Sequence, residues 1–149
     1  MIAWSSSIDI QRPPEAVFQF LANIQTVQQE EGSPVLALDL TTPGPPRLGS
    51  QYREVVQMLP FFKGEILSEI TAFEPPRVLA MAWTAPGMKG TDTYELAPAL
   101  GATNLKHTKK TVCLGALRLV EPFVRSALVP KLEGRLVGIK KEIEERPVS

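Results

Sequence analysis

The sequence holds one histidine, His107, in a segment where Leu105, His107, Lys109 and Cys113 fall on positions of one parity. In an extended chain these side chains point to one side. Two carboxylates have the same kind of setting: Glu54 alternates with Tyr52, Val56 and Met58, and Asp92 with Tyr94 and Leu96. An imidazole within reach of a carboxylate can move a proton near neutral pH or polarise a carbonyl oxygen. Acid–base chemistry is therefore the candidate role for His107, Glu54 and Asp92. A structural role competes with it, because a solitary histidine on a strand is often a surface group or a hydrogen-bonded core group. Lys109 and Lys110 are adjacent, so at least one of them must face water.

Tyr52, Trp83 and Tyr94 combine a large apolar body with a hydroxyl or indole N–H that could orient a bound molecule, and they serve equally well as plain core. Leu79, Met81 and Trp83 form another alternating set, and Met58, Met81 and Met88 supply adaptable apolar surface whose default use is core filling. Phe61-Phe62 follows Pro60 at a strand junction, where the pair could form a ligand entrance, a homodimer contact or a turn packed on the core. Cys113 sits between Val112 and Leu114 with no neighbouring histidine, as a buried inert thiol would. Ser5-Ser6-Ser7 lacks the Gly-x-Ser-x-Gly elbow, and Gly44 and Gly49 lack the Gly-Lys-Ser/Thr ending of a phosphate loop.

The elements that must position these groups are marked by proline and glycine. Ile2 to Ile10 reads as a first strand, with Ile8 and Ile10 opposite Asp9, ending at Pro13-Pro14. Pro14 and Glu15 suit the first turn of a helix carrying Val17, Phe18 and Leu21, stopped by Asn23, with a second short helix over Ile24 to Gln28. Both helices read as covers. After a polar bend at Glu30 to Pro34, five or more extended segments follow, divided at Pro43 to Pro46, Pro60, Pro75-Pro76, Pro86-Gly87 and Pro98 to Gly101. Short turns between successive strands predict an antiparallel meander. Leu117, Val120, Val124, Leu128, Leu132, Leu136, Ile139 and Ile143 then step by three or four, a long amphipathic helix with a bend expected between Ser126 and Pro130. The expectation is a single α+β domain over residues 1–149, a curved antiparallel sheet around a long C-terminal helix.

Sixteen basic and sixteen acidic residues cancel, so no overall field draws the chain to nucleic acid or an anionic membrane. A neutral small-molecule partner fits better. A single cysteine forbids an internal disulfide, and no Cys/His cluster has metal-ligand spacing, so neither metal nor cofactor is expected. There is no basic leader with an apolar stretch and no run of the roughly 18 apolar residues that a membrane helix needs. The expected setting is the cytoplasm.

The order strand, two short helices, meander and final helix resembles the helix-grip fold of the START-like (SRPBCC) superfamily. Ile8, Ile10, Pro13, Pro14, Glu15, Val17, Phe18 and Leu21 resemble its opening, and Gly49 before the Tyr52 to Met58 strand is similar too. The most telling segment is Glu65 to Ile70 followed by Phe73-Glu74-Pro75-Pro76-Arg77-Val78-Leu79, and Tyr94-Glu95-Leu96 with Gly101 to Leu105 resembles the next hairpin. Within the superfamily the chain looks most like the polyketide cyclase and dehydrase group. Where many relatives carry a tryptophan it has Val27-Gln28-Gln29-Glu30-Glu31, which implies a different entrance.

The resemblance implies six or seven strands curved about the helix, with a cavity between them. Its lining would come from Tyr52, Val56, Met58, Met81, Trp83 and Tyr94 on the strands and Leu128 and Leu132 on the helix. Binding of a small hydrophobic or amphipathic molecule such as a lipid, a polyketide-like aromatic or an isoprenoid is the leading expectation. One alternative is a cyclase or dehydratase without metal, using His107, Glu54 and Asp92 for proton transfer and Tyr52 or Tyr94 to orient a carbonyl. The other is a protein-interaction module of the heat-shock ATPase activator type.

Overall fold

A computed structural model describes residues 1–23, 35–59 and 62–145, with only the backbone at 35–40, 56–59, 62, 127 and 131. The expected second short helix, the bend at Glu30 to Pro34, the entrance near Gln28, and Phe61 lie outside the described residues.

Strand β1 (Ile2–Ile10) leads into helix α1 (Pro14–Ala22). Pro14 enters the first turn, where a missing N–H costs nothing, and the Asn23 N–H closes the end on the Gln19 carbonyl at 3.1 Å. Val17, Phe18, Phe20 and Leu21 are all buried, so α1 contributes to the core instead of only covering it. Phe18 meets Phe73 edge-on at 5.3 Å.

The meander is β2 (Val35–Leu40), β3 (Gln51–Leu59), β4 (Phe62–Glu74), β5 (Val78–Ala85), β6 (Met88–Ala99) and β7 (Ala102–Cys113). All pairings are antiparallel, and the seven-stranded sheet has the order β1-β7-β6-β5-β4-β3-β2. Among the described residues, the β4–β5, β5–β6 and β6–β7 turns fall at the expected breakers. Gly87 and Gly101 take φ of 75° and 74°, the left-handed region that a two-residue hairpin turn demands. Pro98 lies within β6, beyond the last β5 partner at Glu95, so its missing N–H breaks no ladder bond to β5.

A 3₁₀ turn (Gly115–Val120) precedes helix α2 (Glu121–Glu145), which is continuous through Pro130. The apolar stripe divides in two. Leu132, Leu136, Ile139 and Ile143 are buried against the sheet and α1, each worth about 1.5–3 kcal/mol. The other half is more open: Leu117, Val124 and Leu128 are half-buried and Val120 is exposed, and beside the stripe Leu114, Leu119 and Phe123 are exposed as well. The C-terminal end is tied to the β1–α1 junction. Glu144 accepts the Gln11 N–H at 3.1 Å and the Lys140 ammonium at 2.7 Å, and the Arg12 guanidinium donates to the Glu144 carbonyl. A cation there complements the negative end of the helix. No helix among the described residues is long and apolar enough to cross a membrane.

The inner face of the sheet, closed by α1 and the second half of α2, holds the core. The first half of α2 stands over the β3 to β7 end of the same face and leaves space there.

Candidate functional site

Cross-strand register turns the inner face into rows. One row runs Thr111, Gly90, Trp83, Ser68, Tyr52 from β7 to β3. The next runs Trp4, Lys109, Asp92, Met81, Ile70, and the one beyond it Ser6, His107, Tyr94, Leu79. The side chains of His107, Asp92 and Lys109 therefore project from adjacent positions on two paired strands, close enough to meet diagonally.

They do meet. His107 Nε2 lies 2.7 Å from Asp92 Oδ1, and Lys109 Nζ donates to both Asp92 oxygens at 3.2 and 3.1 Å. The His107 ring stacks on Tyr94, with centroids 4.4 Å apart and planes 15° apart, and Trp4 meets it edge-on at 5.2 Å. Lys109 Nζ sits 4.8 Å from the centre of Trp83, a cation–π distance.

The charges follow from this packing. Loss of water lowers the pKa of His107 despite the hydrogen bond and charge of Asp92, which act the other way. The ring is therefore neutral at neutral pH, with Nε2–H donating to the acceptor-only carboxylate. Burial alone would raise Asp92, but the bonds and charges of His107 and Lys109 outweigh it and hold the carboxyl below its ordinary range. Burial raises the phenols of Tyr94 and Tyr52.

Between this wall and α2 lies a cavity of about 240 Å³. Ile66, Met81, Trp83, Met88, Val124 and Leu128 give it an apolar surface, with Ala85, Ser68 and Thr111 completing the strands' share. Tyr94 and four charged residues, Glu54, Asp92, Lys109 and Arg135, also reach it. Two of its lining residues, Trp83 and Thr111, carry buried polar atoms, Nε1 and Oγ1, with no hydrogen-bond partner among the described residues.

Of the residues singled out from the sequence, Glu54, Asp92, Met81, Trp83, Tyr94 and Leu128 line this cavity. His107 is 1% exposed and stands behind Asp92 and Tyr94, off the cavity wall. Tyr52 and Leu132 are buried in the core cluster and do not line the cavity either. The side chains of Val56 and Met58 lie outside the described residues. Thr111, Ser68, Ile66 and Arg135 were not singled out beforehand. The first shares parity with His107 and Lys109, which could have marked it, but a threonine does not announce chemistry as a titratable group does.

A second, larger concavity of about 700 Å³ lies over Gln51, Leu67, Glu69, Thr84, Thr91 and Lys110, whose parity is opposite to that of the inner rows, and Tyr52 and Trp83 also border it. Nothing in the structure shows what covers it. Of the four buried polar atoms without a hydrogen-bond partner among the described residues, Trp83 Nε1 and Thr111 Oγ1 belong to residues of the inner cavity, while Tyr52 Oη and His107 Nδ1 belong to residues off it. The inner cavity, with its charged groups, is the candidate site.

Over residues 1–144 the sequence matches the family described as polyketide cyclase / dehydrase and lipid transport. A comparison with curated proteins returns no match. Among solved structures, a conserved protein from Geobacillus kaustophilus superposes with a TM-score of 0.77 at 17% identity, covering 95% of each chain. The protein TTHA0849 from Thermus thermophilus gives 0.73 at 14% identity over 95% of this chain and 97% of its own. Ara h 8.0201 gives 0.72 at 12% identity over 97% and 99%. At such identities the likeness is one of fold, and the shared fold is the helix-grip arrangement.

Proposed function

The chain belongs to the polyketide cyclase / dehydrase and lipid transport family, and from that premise we propose that it binds a small hydrophobic or amphipathic molecule noncovalently between the sheet and α2. The observation that carries this reading is the cavity of about 240 Å³ with its mainly apolar wall, beside a core of packed side chains. An engineered apolar cavity of roughly 150 Å³ already admits benzene, so this one has room for a fused bicycle or a short chain. It falls short of the roughly 300–1,000 Å³ of a drug-sized pocket, which disfavours a two-chain lipid. Native mass spectrometry and solvent extraction should recover a retained molecule, or titration should show saturable uptake of one. Leu128→Trp, which fills the space, should abolish uptake, whereas Val137→Trp on the exposed side of α2 should not. Absence of any retained or saturable ligand in the wild type would overturn the reading.

A second reading, proton transfer of the cyclase or dehydrase kind, is favoured by the His107–Asp92–Lys109 cluster. Asp92 reaches the cavity and would be the group in contact with a substrate, while His107 would act through it. Incubation with a poly-β-keto thioester analogue should then give a cyclised or dehydrated product that Asp92→Asn fails to make. Unchanged analogue in the presence of saturable binding would leave the protein a carrier.

A further inference from the structure

The polar atoms of the cavity wall define the chemistry of what it holds. Trp83, Gly90 and Thr111 are direct partners across β5, β6 and β7, so the backbones of Trp83 and Thr111 are two strand spacings, about 10 Å, apart. Gly90 between them has no side chain, and the indole lies over it. A Cβ on Gly90 would stand 2.8 Å from Trp83 Cζ2 and 3.1 Å from Cε2, two ring carbons on the Nε1 side of the indole. The nitrogen-side edge of the Trp83 ring therefore lies over Gly90, the residue that stands between Trp83 and Thr111 in the row. Thr111 is 1% exposed, and neither its hydroxyl nor the indole N–H has a partner among the described residues.

An indole N–H can only donate, and a threonine hydroxyl can donate as well as accept. A pure hydrocarbon in this cavity would leave both donors without an acceptor while excluding the water that could serve them. A carbonyl oxygen has two lone pairs, one for each donor, and brings no further proton to be satisfied. The charged residues on the wall are two carboxylates, Glu54 and Asp92, and two cations, Lys109 and Arg135, so their formal charges sum to zero. Lys109 already gives two of its hydrogen bonds to Asp92. A charged ligand would add an uncompensated charge to this balance, and a neutral one would not.

We infer that the ligand is an uncharged, compact, mostly apolar molecule with one carbonyl oxygen, which receives hydrogen bonds from Trp83 Nε1–H and Thr111 Oγ–H. This specifies the occupant of the site proposed above and rests on that reading. The apolar body lies against Met81, Met88 and Leu128, and the oxygen end is held at the Thr111–Trp83 row. This specificity comes from leaving two buried donors unpaired when the oxygen is missing.

Three probes of one skeleton test it: tetralin, α-tetralone and tetralin-1-carboxylate, each titrated calorimetrically into the full chain. The ketone should bind about tenfold tighter than the hydrocarbon, the combined effect of two hydrogen bonds, and the carboxylate more weakly than the ketone. In Trp83→Phe and in Thr111→Val the ketone-to-hydrocarbon ratio should fall to about threefold or less. The ratio is taken within one variant, so a general loss of packing does not imitate the result. The wild type needs no mutation for a second readout: the carbonyl stretch of bound tetralone should lie at lower wavenumber than in hexane. Equal affinity for ketone and hydrocarbon, an unshifted stretch, or a ratio that survives both substitutions would overturn this inference and leave the binding reading intact. Tightest binding of the carboxylate would overturn the neutral class. Failure of all three probes to bind would count against the binding reading itself.

Discussion

His107 and Asp92 are diagonal neighbours and not a direct cross-strand pair: His107 stands opposite Tyr94, Asp92 stands opposite Lys109, and the contact of 2.7 Å runs between the two pairs. The carboxylate thereby serves two donors from one strand, and the imidazole is left to stack on Tyr94. Removing the carboxylate strands both donors. Asp92→Ala leaves the Lys109 ammonium, whose side chain is only 15% exposed, without its counter-ion, and should cost about 3–5 kcal/mol. Asp92→Asn keeps an acceptor oxygen and should cost less, about 1–3 kcal/mol. Urea unfolding measures both, and a loss below about 0.5 kcal/mol in the alanine variant would mean that the cluster contributes no stability.

The same packing gives stability a pH dependence with a definite sign. Burial holds His107 below its ordinary 6.5, so on acidification the unfolded chain takes up this proton before the folded one. The contribution is complete above pH 6.5 and is lost as pH falls from there through the folded value. Asp92, depressed from 3.8, acts in the same sense at lower pH, with its contribution present above 3.8 and lost below it. The urea midpoint should therefore fall between pH 7.5 and 5.5, before ordinary carboxylates begin to titrate. His107→Gln, which keeps an N–H for Asp92 and cannot titrate, should flatten this interval. Equal slopes in wild type and variant would show that His107 is not the group responsible.

Two glycines should respond to alanine with opposite signs. At Gly90 a new Cβ would come within 2.1 Å of the Lys110 carbonyl oxygen and 2.8 Å of Trp83, so Gly90→Ala should destabilise by about 3 kcal/mol and displace the indole. At Gly134, within α2, a Cβ meets nothing within 4 Å, and Gly134→Ala should stabilise by about 0.5–1 kcal/mol through helix propensity alone. Thermal melts and the emission wavelength of Trp83, read in a Trp4→Phe background, distinguish the two outcomes.

Much of this wall could be read from alternation because β5, β6 and β7 pair without a register break. Asp92, Tyr94, His107 and Lys109 consequently reach the inner face as their parity requires, and Glu54 joins them from β3, whose register with β4 is unbroken from Gln51 to Gln57. Alternation does not carry across a bulge. Between Ile70 and Ala72 the register shifts, and Phe73 faces α1 from a parity opposite to that of Ile70. Nor does parity give depth: it cannot separate Asp92, on the cavity wall, from His107 behind it, since depth depends on where α2 stands over the sheet. The helix stripe has the same blind spot. Leu136 and Val120 lie on one line of the sequence, yet the first is 3% and the second 40% exposed: Val120 ends the 3₁₀ turn before α2, where the helical period does not apply.

Two threonines of β7 that the sequence does not distinguish should respond differently to valine. Thr103 and Thr111 are 0% and 1% exposed, both on the inner face. Thr103 Oγ1 donates to the Arg12 carbonyl at 2.7 Å, fixing the β1–α1 junction, whereas the Thr111 hydroxyl has no partner among the described residues. Thr103→Val removes one made hydrogen bond and leaves a carbonyl orphaned, so it should cost about 1–3 kcal/mol. Thr111→Val removes only an unsatisfied hydroxyl and should be neutral or stabilising by up to about 1 kcal/mol in the ligand-free protein. A residue that improves stability when replaced is one that folding does not require, and the trade of stability for a polar group poised at a cavity is the behaviour of a binding site. Paired urea titrations of the ligand-free variants decide it. If Thr111→Val costs as much as Thr103→Val, its hydroxyl belongs to the fold and not to the site.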